Sequence, residues 1–244
     1  MKVKPFYKRK RFYLAALLLG AFLFLHSCMQ FRTSDKKTLK RFEKIQQKVS
    51  IDYIPSNPSE GLVRAISAGT VKENAIIFIH GAPGSADAFY GYLSTPELLE
   101  KATLITYDRP GYGYSGFGDA LVSIEAQAKV VDEIIHHYAL ENVYLVGHSF
   151  GGPVAALTPL INSKVKGVLL LAPAMAPEHE KYFWVGNFAR WKLTRWMVPK
   201  SWRVSADEKY SHEQELSSLV EVWKEVSVPV VVLQGNEDTL VPFE

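Results

Sequence analysis

An α/β fold, with a mostly parallel sheet carrying helices on both faces, is what this 244-residue sequence predicts, and three observations predict it. Five apolar runs of four to six residues have the composition of strands buried on both faces of a sheet. Stretches of helical periodicity lie between several of them, and such alternation of strand and helix builds a parallel sheet. Three glycine-containing motifs follow directly on strands, and the carboxyl ends of strands are where such sheets hold their active sites.

The elements begin with a leader. Lys2, Lys4, Lys8, Arg9, Lys10 and Arg11 precede twenty residues without Asp, Glu, Lys or Arg, Phe12 to Phe31, of which Phe12 to Leu25 is almost wholly apolar. That is the basic and apolar layout of a secretory signal. The only cysteine follows in Leu25-His26-Ser27-Cys28. The segment resembles a bacterial lipoprotein signal, which implies lipidation at Cys28 and an exported chain held on the membrane of the cell envelope. The other reading is an uncleaved anchor, since about twenty apolar residues can span a bilayer; the lipoprotein reading is preferred. The leader takes six of the 28 bases and leaves 22 against 25 acids, so the pI near 8.8 belongs to it and gives no support to nucleic-acid binding. A lone cysteine allows no internal disulfide.

Residues 1–27 are therefore read as signal or anchor and 28–60 as a linker with a short helix. In that helix Leu39, Phe42, Ile45 and Val49 recur at helical spacing, with Ser34 placed to cap it. The core is expected over 61–172, an insertion over 173–226, and the core again over 227–244. Its strands are Ala75 to Ile79, Thr103 to Tyr107, Val143 to Val146, Val168 to Leu171 and Val228 to Leu233. One helix runs from Ser123, a capping residue, to Tyr138, with Ile124, Ala128, Val131, Ile135 and Tyr138 on one face. A second is expected from Ser149 to about Ile161.

Gly147-His148-Ser149-Phe150-Gly151 ends a strand and opens a helix. This is the G-x-S-x-G arrangement, in which a nucleophilic serine sits on a sharp turn and the glycines supply room. His80-Gly81-Ala82-Pro83-Gly84 follows another strand. Acyl transfer needs backbone N–H donors for an oxyanion. Phe150 is expected to give one, and Ala82 the other, since Pro83 has no N–H. His80 and Gly81 are read as loop structure rather than catalysis. The third motif is Tyr107-Asp108-Arg109-Pro110-Gly111-Tyr112-Gly113-Tyr114-Ser115, with Asp108 and Arg109 read as scaffold. On these three motifs the sequence resembles the α/β-hydrolase superfamily, near the proline iminopeptidase and epoxide hydrolase branch. The resemblance implies an acyl-enzyme hydrolase of esters, thioesters or small amides. A serine in place of an aspartate disfavours the alkyl-enzyme chemistry of epoxide hydrolases and dehalogenases.

The family's order is serine, acid, histidine. Asp238, in Gln234-Gly235-Asn236-Glu237-Asp238-Thr239-Leu240-Val241-Pro242, matches the place of the acid, with Glu237 its neighbour. None of the histidines (26, 80, 136, 137, 148, 179 and 212) follows Asp238. The last helix and strand of the fold are missing too. The expectation is a truncated chain with little turnover, and the alternative is a non-catalytic membrane-tethered binding or scaffolding protein. All five tryptophans, Trp184, Trp191, Trp196, Trp202 and Trp223, lie in the insertion, where this superfamily carries a helical cap. The preferred reading is a cap packed on its own domain, and the other is contact with a lipid surface. No Cys/His cluster has metal-ligand spacing and no phosphate-binding loop is present, so no metal and no cofactor is expected.

Overall fold

In the computed structural model the described residues are 10–70, 73–179, 182, 184 and 186–241. Lys2, Lys4, Lys8 and Arg9 of the leader, and Pro242, lie outside them. Seven strands form one sheet in the order β1-β2-β4-β3-β5-β6-β7: β1 (Val49–Ser56), β2 (Gly61–Ala68), β3 (Asn74–Ile79), β4 (Thr103–Tyr107), β5 (Asn142–His148), β6 (Val165–Leu171) and β7 (Val230–Leu233). Strands β3 to β7, the five expected, pair in parallel. The antiparallel strands β1 and β2 extend the sheet beside β4, and the sequence reading had neither.

Helix α1 (Lys10–Cys28) has no buried residue and is long and apolar enough to cross a membrane. Helix α2 (Asp35–Lys44) is shorter than expected, because Val49 starts β1 rather than ending the helix. Ser34 stands at its N-cap without a side-chain capping bond. Nor is α2 a mere spacer: Phe42 is buried and the Thr38 hydroxyl lies 2.9 Å from the Tyr90 hydroxyl. The linker thus ends at Val49, inside the sheet.

Helix α3 (Pro96–Leu99) is one short turn ahead of β4. Helix α4 (Ile124–His137) buries Ile124, Ala128, Val131 and Ile135 completely, and the Ser123 hydroxyl accepts from the Ala126 N–H. Helix α5 (Gly151–Leu157) is shorter than expected and tightens into a 3₁₀ turn at Thr158–Leu160, because Pro159 cannot continue an α-helix. Helices α4 and α5 pack one face of the sheet. Phe42, Phe89, Tyr90 and Leu93 pack the other. All four residues of β7 are 41–56% exposed, so this edge is uncovered among the described residues.

The insertion holds α6 (Gly186–Arg190), α7 (Lys192–Arg195) and α8 (Lys200–Leu219). Trp191 caps α7 with extended backbone, and Trp184 and Phe188 meet ring to ring at 5.9 Å.

Candidate active site

Strand β5 delivers its chain into α5 through one sharp turn, with Ser149 at φ 51°. That left-handed conformation costs a non-glycine residue of order 1–3 kcal/mol and persists only where its surroundings enforce it. Here they do. A Cβ on Gly147 would stand 2.5 Å from the Gly151 carbonyl oxygen, and one on Gly151 would collide with that of Ile79. Both glycines are therefore steric requirements of the turn. The Ser149 N–H donates to Leu171 O at 3.0 Å, and its own carbonyl accepts from Gly152 and Ala174.

The loop after β3 lies against this turn. A Cβ on Gly81 would be 2.9 Å from Ser149 Cβ, so the loop that carries Ala82 lies against Ser149. His80 is fully buried, and both ring nitrogens are engaged. Its Nδ1–H donates to Gly81 O at 2.7 Å and its Nε2 accepts from the Arg109 N–H at 3.0 Å, which fixes the tautomer. Burial, then the Arg109 charge, hold its pKa well below the usual histidine value, so it is neutral.

Asp108 and Arg109 do not pair with each other. Asp108 holds Arg64 of β2 at 3.2 Å and accepts from the backbone N–H groups of Ala86 and Tyr114. Arg109 pairs with Glu208 of α8 at 2.5 Å, both with no exposed side-chain surface. Tyr112 and Gln127 donate to the same carboxylate, and Arg109 also donates to His80 O and Gly81 O. Its guanidinium lies 4.6 Å from the centre of the Phe150 ring. One buried cation thus joins the loop of Ala82, Phe150 and helix α8.

Asp238 sits beyond β7. Its Oδ1 accepts from the Leu240 and Val241 N–H groups at 2.9 and 3.0 Å, and its Oδ2 from Gln234. Glu237 beside it is exposed. The His148 ring lies beside Gly81 and interacts electrostatically with Asp238. Burial lowers the His148 pKa, against the pull of Asp238. His136 and His137 are at the far end of α4.

Four contributors were missed from sequence: Tyr112, Gln127, Glu208 and His212. His212 stacks on Phe150 with centroids 4.4 Å apart and donates from Nε2 to Ala174 O at 3.0 Å. Burial pushes its pKa down to about 4. A signal existed: Val204, Glu208, His212 and Leu216 recur every four residues and are all buried. Two polar residues in that stripe hid it. A cavity of about 610 Å³, lined by Ile45, Gln47, Ser94, Pro96, Leu99 and Glu100, includes none of these residues.

Known proteins resemble this chain in sequence and fold. A family model for the alpha/beta hydrolase fold matches residues 74–196. "Putative esterase/lipase 3" of Mycoplasma pneumoniae is 26% identical over 199 residues, 70% of each chain. A proline iminopeptidase of Lactobacillus acidophilus is 28% identical over 89 residues, 35% of this chain and 30% of that one. The crystal structure of a bacterial membrane phospholipase A superposes with a TM-score of 0.61 at 18% identity, over 96% of this chain and 85% of the other.

Proposed function

The chain belongs to the α/β-hydrolase fold family and is a hydrolase, and from that premise we propose that it cleaves carboxylic esters, thioesters or small amides through an acyl-enzyme on Ser149. The observation that carries this reading is the Ser149 turn, left-handed at φ 51° and wedged between Gly147, Gly151 and Gly81. In the proposed reaction Ser149 Oγ attacks the acyl carbonyl and its proton passes to a base. The carbonyl oxygen gains negative charge opposite the N–H groups of Phe150 and Ala82. The leaving group departs with a proton, and water then releases the acid. Asp238 is the triad acid, fixed by two backbone N–H groups.

The base of this scheme is a histidine following Asp238 in chain order, and these 244 residues contain none. His212 does not replace it, since its Nε2–H is committed to Ala174 O. A second reading is a binding or scaffolding protein that keeps the fold without catalysis. An active-site fluorophosphonate and a p-nitrophenyl ester separate the two. Labelling lost in Ser149→Ala supports the nucleophile, whereas no labelling of the chain leaves the non-catalytic reading. Ester turnover by this chain that Ser149→Ala leaves unchanged overturns the assignment of Ser149.

The chain is further proposed to be exported and membrane-held, by lipid on Cys28 or by α1 itself. Cys28 is exposed at the end of α1, where an acyl chain would attach. Incorporation of labelled palmitate, with and without Cys28→Ala, distinguishes the two anchors.

A further inference from the structure

The cap exposes what a lid packed on its own domain would hide. Trp184 is 75% exposed, Trp191 60%, Leu193 68% and Trp196 66%. These residues cluster on and around α6 and α7. From Trp184 to Arg203 the sequence carries Arg190, Lys192, Arg195, Lys200 and Arg203 and no acid. Arg195 is paired with Asp207 of α8, and the exposed aromatics beside Arg190 and Lys192 match the composition of surfaces that lie in lipid headgroups.

The second observation is where α1 ends. Its chain turns directly onto the start of α8: Met29 O accepts from the Ser201 hydroxyl at 2.8 Å, and the rings of Phe31 and Trp202 are 6.2 Å apart. Arg32 continues the joint, donating to Gly113 O and lying over the Tyr114 and Phe117 rings. Whichever anchor operates, residue 28 is at the bilayer surface, so Ser201 and Trp202 are there too. Trp196 is six residues from Trp202 and can lie no farther than about 20 Å from it. The tether therefore joins the cap at the start of α8, within about 20 Å of Trp196.

We propose that the face formed by Trp184, Trp191, Leu193, Trp196 and Trp202 sits in the headgroup region of the bilayer that holds the chain, with Arg190 and Lys192 on anionic lipid. The proposal rests on the membrane tether proposed above. A second copy of the chain fits this face less well, because a two-fold pairing would oppose the same bases to each other. Helix α8 then runs from the bilayer contact at Trp202 to His212 on Phe150, ten residues or about 15 Å along its axis.

The experiment uses the full chain in vesicles of phosphatidylcholine and phosphatidylglycerol, plain or brominated on the acyl chains. Flotation reads the tether. Because all five tryptophans lie between 184 and 223, their emission reads the cap alone. The expected result is a loss of emission in brominated vesicles. That loss shrinks in Trp191→Ala/Trp196→Ala, and it shrinks in Arg190→Glu/Lys192→Glu while flotation is kept. A chain that floats with equal emission in both vesicles overturns the docking and leaves the tether. A chain that does not float overturns both. Quenching undiminished by the paired alanines overturns this choice of face. Emission that follows protein density but not bromination puts a second copy there and overturns the bilayer contact.

Discussion

Glu208→Gln is a direct way to ask whether the cap and the site are one unit. The substitution keeps the shape of the side chain and removes its charge, leaving the Arg109 guanidinium with no exposed surface and no anion. Breaking a buried pair from one side costs about 3–5 kcal/mol, because the remaining charge is stranded. For a chain of this size each kcal/mol is worth about 2–4 °C, so the melting temperature should fall by about 6–20 °C. Urea unfolding of the detergent-solubilised chain, followed by tryptophan emission, measures this. Arg109→Met/Glu208→Leu removes both charges and should lose less than either single substitution. A loss below about 1 kcal/mol for Glu208→Gln would refute the reasoning, since a stranded charge cannot be that cheap in a dry site.

Three further outcomes follow from particular contacts. His212 is buried with its pKa pushed down to about 4, so the unfolded chain takes up its proton first; stability present above about pH 6.5 should be lost as pH falls towards 4, by up to about 3 kcal/mol, and His212→Phe should flatten that part of the pH–stability curve. Ser149→Gly relieves a left-handed backbone and should raise the urea midpoint, by up to about 1 kcal/mol, while abolishing fluorophosphonate labelling; an unchanged or lower midpoint would mean that no strain is stored there. Ser123→Ala removes the acceptor for the Ala126 N–H and should cost about 1 kcal/mol, seen as faster amide exchange in the first turn of α4.

The parallel strands β3 to β6 were legible because they are largely buried on both faces, which leaves apolar runs such as Ile77, Phe78 and Ile79. The β1–β2 hairpin was not. Its strands carry Ser50, Asp52, Pro55 and Arg64, and Arg64 is buried only because Asp35 and Asp108 meet it from distant parts of the chain. No local pattern announces that. The Ser149 turn was legible for the opposite reason: the crowding that demands Gly147 and Gly151 is created within nine residues of sequence and one neighbouring strand. Glu208 and His212 were illegible as site residues because polar groups in a helical stripe read as solvent-facing until their partners are known.

Those partners explain why the cap cannot be an accessory to a finished core. Arg109 is at the centre of the site, and its neighbours His80 and His212 have their pKa values lowered by burial, so neither carries charge at neutral pH. The carbonyls of His80 and Gly81 and the side chain of Gln127 accept its hydrogen bonds, but none of them supplies a negative charge. The anion that Arg109 pairs with is Glu208, which belongs to α8. A core folded without the cap would hold an unpaired cation in its interior or would have to open to let water in. The loop that carries Ala82 is fastened by the same guanidinium, so it would open with it. Cap docking and ordering of the His80–Ala82 loop are thus one equilibrium, joined through the Arg109 guanidinium.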